Sequence, residues 1–314
     1  MSKIFRANGK LLLTGEYLVM DGARALVLPL KYGQELKVKS MENSQNRLIW
    51  KSYELNNCWF QSEIEQSNLK TINTSDKYIS GRVEKIMDAI KRFKPEIFSR
   101  ENSMEFEFRL DFNRNWGWGT SSTLLSLLAQ WAGIDPYDLY FDLFKGSAYD
   151  IAASRMNQPF LYKVFIQFPQ ISSIDFNPTF KDKLFFVYLG QKQHSLTEVS
   201  EYRKLQRPDN LIDTISSISE RLVSCNDLID FEHLLSEHEE RLALYLKKSA
   251  IQNRQFMDYT KGIVKSLGAW GGDFVLMTCH RGKEYLDNYL SKKNLKPCFT
   301  YDEIVKYENR LLIK

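Results

Sequence analysis

From residue 104 to 112 the chain alternates without a break. Met104, Phe106, Phe108, Leu110 and Phe112 are apolar, and Glu105, Glu107, Arg109 and Asp111 between them are polar. A period of two predicts a strand with one buried face. A few residues later the period changes: Leu124, Leu127, Leu128 and Trp131 recur at helical spacing, and Gly133 follows where a helix C-cap is expected. Val83, Ile86, Met87, Ile90 and Phe93 predict a further amphipathic helix, stopped by Pro95. The first 40 residues read as strands, with apolar runs at 11–13 and 25–30 and turn chemistry at Asp21-Gly22 between them. Residues 47–60 read as a hairpin around Asn56-Asn57. A short helix is expected at 151–156 and an extended run at 160–168.

The second half has a different texture. A short apolar strand at 184–189 precedes long helical patterns at 210–223, 228–247 and 251–267. Gly268-Ala269-Trp270-Gly271-Gly272 breaks the last of these, ahead of a buried strand at 274–278. Tyr285, Leu286, Tyr289 and Leu290 mark one more helix, and 297–314 reads as a terminal strand and tail. Pro169, Pro178 and neighbouring polar residues shift the composition near 170–182, which divides the chain into domains at 1–180 and 181–314. Strands and helices mixed in both halves give an α+β class.

Composition narrows the function classes. At 314 residues the chain is long enough for one large or two ordinary domains. Its 43% hydrophobic and 26% charged content is that of a globular protein. A net charge of +4, with no basic run interleaved with aromatics, gives no ground for a nucleic-acid partner, and suits a small anionic substrate. No apolar run approaches the ~18 residues of a membrane span, and residues 1–10 lack the apolar core of a secretory signal. Cys58, Cys225, Cys279 and Cys298 form no CxxC pair and read as free thiols in a reducing, cytoplasmic setting. Nothing in the sequence bears on oligomeric state.

Four segments carry candidate chemistry, each with a plain structural alternative. The six residues Gly117-Trp118-Gly119-Thr120-Ser121-Ser122 join the strand to the helix. Such a turn aims backbone N–H groups and the positive end of a helix dipole at an anion, commonly a phosphate. It is equally ordinary punctuation before a helix. It is neither a Walker A loop, since no Lys follows the second Gly, nor a dinucleotide fingerprint, so a lysine for the phosphates must come from elsewhere. Lys10, in Asn8-Gly9-Lys10, is either that lysine or a solvated residue at a strand end. Asp150, in Gly146-Ser147-Ala148-Tyr149-Asp150, is either a helix N-cap or a catalytic carboxylate. The turn at 268–273, ending in Asp273, is either a site of close backbone approach to a phosphate or a compact connection from helix to strand. His233 and His238 are five apart, which does not match metal-ligand spacing on a helix, and residues 237–240 read as a solvated helix face.

Taken together and in order, the four segments resemble the motifs of the GHMP kinases (galactose, homoserine, mevalonate and phosphomevalonate kinases). Residues 8–22, Asn-Gly-Lys-Leu-Leu-Leu-Thr-Gly-Glu-Tyr-Leu-Val-Met-Asp-Gly, are similar to the first motif. Residues 117–122 are similar to the phosphate-binding Gly-Leu-Gly-Ser-Ser loop, and 268–273 to the glycine-rich third motif. Gly-Glu-Tyr at 15–17 and Gly-Ser-Ala-Tyr-Asp-Ile-Ala at 146–152 lean toward the phosphomevalonate kinases. The resemblance implies an N-terminal domain of ribosomal-S5-domain-2-like topology and a C-terminal ferredoxin-like domain, with ATP and Mg2+ bound between them.

It further implies that residues 117–122 cradle the ATP phosphates, with Thr120 or Ser121 helping to hold Mg2+. Asp150 and Lys10 are the implied catalytic pair, and Gly268, Gly271, Gly272 and Asp273 form the third-motif loop. Glu16, Tyr17, Ser147, Lys192, His194 and Ser195 are candidate acceptor-binding residues, and Arg155 is one more. The implied reaction is transfer of the γ-phosphoryl of ATP to 5-phosphomevalonate. Mevalonate or a sugar as acceptor, and a catalytically silent ligand-binding protein, are the alternatives. The sequence departs from the motifs at Asn8, where Pro is usual, and at Trp118 and Trp270. Two indoles beside two glycine loops are expected to narrow the nucleotide or acceptor space.

Overall fold

A computed structural model describes residues 2–41, 46–99, 102–191, 195–206, 209–268, 270 and 273–308. Contacts divide the chain into two units with interleaved boundaries. The first comprises Met1–Gly9, Tyr32–Arg114 and Gly119–Arg155, and the second Lys10–Lys31, Asn115–Trp118 and Met156–Lys314. Strands β1 (Ser2–Leu12) and β2 (Ala25–Met41) pair with each other and run through both units.

The first unit is a twisted sheet backed by helices. Strands β3 (Arg47–Glu54) and β4 (Asn57–Glu65) form the expected hairpin, and β5 (Thr71–Thr74) adds to β4. Helix α1 (Lys77–Phe93) follows, and β6 (Ser103–Leu110) then enters parallel to β3 and antiparallel to β2, giving the order β5-β4-β3-β6-β2. The alternation seen in the sequence is explained by this placement: Phe106, Phe108 and Leu110 are buried while Arg109 is exposed. Asp76 caps α1 by accepting from the Tyr78 and Ile79 N–H groups at 2.9 and 3.1 Å, and the helix ends just before Pro95. Helices α2 (Thr120–Ala132), α3 (Pro136–Leu143) and α4 (Tyr149–Ala153) complete the unit. Its core joins Trp50, Phe106, Phe108, Met87, Ile90, Leu127 and Leu128, with Trp50 stacked on Phe108 at 4.4 Å and Trp131 edge-on to Phe106 at 4.8 Å.

In the second unit the start of β2 pairs with β7 (Phe160–Phe165), and β7 with β8 (Phe168–Ser173). The run at 160–168, expected as one extended segment, is therefore a hairpin. It turns at Ile166 and Gln167, which take positive φ values of 46° and 65° without either being the Gly or Asn that would signal such a turn. The rest of the unit follows a β-α-β-β-α-β plan. Strand β9 (Leu184–Tyr188) leads through α5 (Ser195–Tyr202), α6 (Asp209–Val223), α7 (Leu228–Leu246) and α8 (Ile251–Gln255) to β10 (Val264–Leu267). Then come β11 (Phe274–Thr278), α9 (Lys283–Lys292), β12 (Cys298–Thr300) and α10 (Tyr301–Ile304). The sheet order β12-β9-β11-β10, all antiparallel, is the ferredoxin-like arrangement.

Two expectations fail here. Residues 251–267 are not one helix: five helical residues are followed by a loop and then by β10, so the glycine segment joins two strands rather than a helix and a strand. Periodicity misled because apolar positions spread over a short helix and a short strand also fit a helical repeat. The strand expected within 297–314 is present as β12, but an unexpected short helix follows it, where Thr300 and Glu303 form a capping box. The four cysteines are free, as expected. Among the described residues no helix is long and apolar enough to cross a membrane.

Phe106 is fully buried between two indoles. Phe106→Ala is expected to lower the unfolding free energy by ~3–5 kcal/mol in urea denaturation.

Candidate active site

The site residues expected from the sequence divide between the two units. Gly119, Thr120, Ser121, Ser122, Ser147 and Asp150 belong to the first, and Lys10, Glu16, Tyr17, Gly117, Trp118, Gly268 and Asp273 to the second. Lys192, His194, Gly271 and Gly272 lie outside the described residues. Ser195 opens α5, and its side chain lies outside them too.

In the first unit, Gly119 precedes α2 in the left-handed region (φ 92°) and makes no side-chain cap bond. The first intrahelical bond is donated by the Thr123 N–H to the Gly119 carbonyl at 2.9 Å. The helix itself thus leaves the amides of Thr120, Ser121 and Ser122 without acceptors, as at any helix start. The Ser122 hydroxyl is turned back onto the Gly119 carbonyl at 2.8 Å, while Thr120 is half-buried and Ser121 exposed. The Thr123 hydroxyl donates to Gln34 Oε1 at 2.8 Å and locks the helix start to β2. Asp150 is the second residue of α4 rather than its cap. The cap position is held by Ala148 at φ 58°, a left-handed backbone rare for a residue with a Cβ. Asp150 is half-buried, and its carboxylate accepts from the Ile151 N–H at 3.1 Å. Ser147 is buried and Arg155 is exposed. Burial raises the pKa of the Tyr137 hydroxyl; the Arg155 charge works against that rise, and the Asp135 and Asp150 charges add to it. The Asn8 N–H donates to the Ser154 carbonyl at 2.9 Å, tying the first motif to α4.

In the second unit, the half-buried Lys10 donates its own N–H to the Trp118 carbonyl at 3.0 Å, which ties the first motif to the glycine loop. Gly117 takes φ 67°, and a Cβ there would fall on the carboxylate of Asp273. Glycine is required on both counts. The indole of Trp118 is fully buried against Trp116 (4.7 Å), Phe274 (5.1 Å) and Phe299 (5.4 Å). Trp270 is 4% exposed; its indole Nε1–H donates to the Ser249 carbonyl at 3.3 Å. The expectation that two indoles crowd the loops therefore needs correcting: both are consumed as anchors in the core of their unit. The Tyr17 hydroxyl accepts the Trp270 N–H at 2.7 Å and donates to Glu198 at 3.3 Å, while its ring stacks on Tyr202 at 5.3 Å.

A further group was not legible as a group in the sequence. Glu16, His238, Glu239 and Lys265 are all nearly or fully buried and meet behind the first motif. The Lys265 ammonium donates to Glu16 Oε1 and, at 2.8 Å, to the Ser266 carbonyl, with Glu239 Oε2 at 3.9 Å. His238 Nε2 accepts the Gly15 N–H at 3.0 Å and lies 3.3 Å from Glu16 Oε2. Residues 237–240 are consequently not a solvated face: His238 and Glu239 point inward, and only Glu240 is exposed. One signal was available, because Leu235, His238 and Leu242 share the 3–4 spacing of a buried stripe. Burial pushes the Glu16 carboxyl up to about 7, against the opposing charge and hydrogen bond of Lys265. Burial, and then the Lys265 charge, hold the His238 imidazole well below its usual range. Burial raises Glu239 against the Lys265 charge and the Ser266 N–H, which donates to Glu239 Oε1 at 3.3 Å.

No family model matches the sequence, and no curated protein matches it. Solved structures do match the fold. A mevalonate kinase of Methanococcus jannaschii superposes with a TM-score of 0.71 at 17% identity, over 98% of this chain and 99% of that one. A Streptococcus pneumoniae phosphomevalonate kinase in complex with phosphomevalonate and AMPPNP gives 0.70 at 13%, over 96% and 99%. A Lactococcus lactis galactokinase complexed with galactose gives 0.64 at 11%, over 97% and 93%.

The buried cluster makes a pH prediction with a definite sign. Glu16, Lys265 and Glu239 face His238 from the turn after β1, from β10 and from α7 itself. Below about 6.5 an unfolded histidine takes up a proton that the buried one refuses, so the folded state loses up to ~1.4 kcal/mol per pH unit. Glu16 acts oppositely: its folded value near 7 against an ordinary 4.5 favours the folded state as pH falls through that window. Comparison with His238→Gln isolates the histidine. Between pH 7 and pH 5 the wild type is expected to lose ~1–2 kcal/mol relative to the variant in urea unfolding. The chain has the fold of the GHMP kinases.

Proposed function

We propose that the protein is an ATP-dependent small-molecule kinase of the GHMP type that transfers the γ-phosphoryl group to an anionic acceptor, 5-phosphomevalonate first among the candidates. The observation that carries this reading is the start of α2, where two left-handed glycines deliver three first-turn amides without a side-chain cap. That arrangement, on a chain with this fold, suits the phosphates of ATP. The catalytically silent alternative loses its motivation, because Trp118 and Trp270 are core residues rather than obstructions.

Phosphoryl transfer through a loose transition state asks chiefly for positioning and for charge neutralisation. In this reading the amides of Thr120, Ser121 and Ser122 bind the phosphates. The Lys10 ammonium stabilises charge on the transferring group. Asp150 orients the acceptor oxygen and takes its proton where that oxygen carries one. A phosphate acceptor is largely ionised near neutrality, so orientation matters more than basicity. Mg2+ needs only one or two protein oxygens when phosphates supply others. The half-buried Thr120 and exposed Ser121 hydroxyls fit that demand, and the bound ion would neutralise phosphate charge. The preference for 5-phosphomevalonate over mevalonate rests on the Gly-Glu-Tyr at 15–17 and the Gly-Ser-Ala-Tyr-Asp at 146–150. TM-scores of 0.71 and 0.70 do not separate the two.

The test is turnover with ATP and Mg2+ across phosphomevalonate, mevalonate, homoserine and sugars. Phosphomevalonate is expected to give the highest kcat/KM; turnover of mevalonate alone would reject that acceptor, and no ATP binding in calorimetry would restore the silent reading. Asp150→Ala and Lys10→Met are each expected to lower kcat by 10²-fold or more. An unchanged kcat would remove that residue from the mechanism.

A further inference from the structure

The turn at 15–17 is bound to the rest of its unit at several polar points. Gly15 takes φ 89°, a Cβ there would lie 2.7 Å from the Ala25 Cβ, and the residue is buried. A buried N–H must have an acceptor. Here the acceptor is His238 Nε2, brought from 223 residues away. The turn is then closed on itself: the Leu18 N–H donates to the Glu16 carbonyl at 2.7 Å, the Val19 N–H to the Gly15 carbonyl at 2.9 Å and the Met20 N–H to the Tyr17 carbonyl at 2.9 Å. Tyr17 is held at φ 60° within it, which fixes the direction of its ring. The far end of that ring accepts the Trp270 N–H. Glu16, on the opposite side, receives the ammonium of Lys265 on β10, the strand that leads into the same glycine segment.

We propose that His238 is a positioning residue that sets two motif segments at once, holding the 15–17 turn through the Gly15 amide and, through the Tyr17 hydroxyl, the main chain at Trp270. Nε2 accepts an N–H, so it carries no proton, and the neutral ring bears its hydrogen on Nδ1. Among the described residues Nδ1 has no hydrogen-bond partner, nor do Glu16 Oε2, Glu239 Oε2 and the Ser266 hydroxyl. A buried group left with unmade bonds is costly, and the bond His238 does make, to the Gly15 N–H, offsets part of that cost. No contact with ATP or acceptor is assigned to His238. Its effect on any reaction is through Gly15, Tyr17 and Trp270.

Amide hydrogen exchange on the full chain tests this without reference to activity. In His238→Ala, exchange is expected to speed up at least tenfold both in the peptide carrying residues 15–17 and in the peptide carrying Trp270. His238→Gln keeps an acceptor and is expected to bring both within threefold of wild type. Tyr17→Phe should accelerate only the Trp270 peptide, giving the order of the linkage. Loss of protection at 15–17 with Trp270 unchanged in His238→Ala would overturn the proposal. So would equal acceleration across α2, which would mean that the residue serves stability alone; His238→Gln with both peptides still exposed would overturn it as well. A second readout rests on the kinase reading. The Michaelis constant for ATP should rise about tenfold in His238→Ala with kcat changed less than threefold, and His238→Gln should recover it. Absence of phosphotransfer in the wild type would reject the kinase reading while leaving the exchange result to decide the role of His238.

Discussion

A lysine ammonium at 1% exposure is the constraint on which the second unit turns. Taking such a charge out of water costs several kcal/mol unless partners replace its hydration. Lys265 finds them in the Glu16 carboxylate, the Ser266 carbonyl and, further off, Glu239. Those groups come from the turn after β1, from β10 itself and from α7, so the charge can be buried only when the three elements are in register. Around it the packing is polar as well. Thr14 shares a hydrogen bond with Ser219 of α6 at 2.7 Å and accepts the Leu26 N–H at 3.0 Å. The first motif thus adds directional hydrogen bonds and charge to the apolar burial of Leu11, Leu12, Leu13, Leu18 and Val19.

The glycine loop is built on the opposite principle. Gly117 and Gly119 supply the backbone freedom, and the residue separating them supplies the grip. Trp118 drives its indole into a cluster with Trp116, Phe274 and Phe299. Aromatic burial of this size contributes on the order of 2–3 kcal/mol. A loop that must present amides to a ligand has little side chain of its own to bury, and a single large anchor solves that. The same reasoning applies to Trp270, whose indole and amide are both bonded within the unit.

Much of the architecture was readable from residue pattern. The helix closed by Gly133 appears as drawn, the stripe begun at Val83 is buried as far as Ile90, and the alternation begun at Met104 runs as a strand to Leu110, because a strand face or helix face leaves its period in the chain. The hairpin at 160–173 escaped, since Ile166 and Gln167 lack turn chemistry. So did β10, since four residues are too few to establish a period. His238 and Glu239 were misassigned because neighbouring charges on a helix look solvated, and nothing nearby in sequence announces the lysine that takes them inward.

Local sequence determined where glycines, caps and apolar faces would fall, and with them the four segments that carry candidate chemistry. These are short-range matters of backbone sterics and side-chain period. Tertiary structure alone decided which way the two indoles point, that Asp150 stands inside a helix turn rather than at its cap, and that Glu16, His238 and Lys265 meet. Burial and charge pairing are set by residues more than 200 positions apart, and no local pattern encodes a partner at that distance.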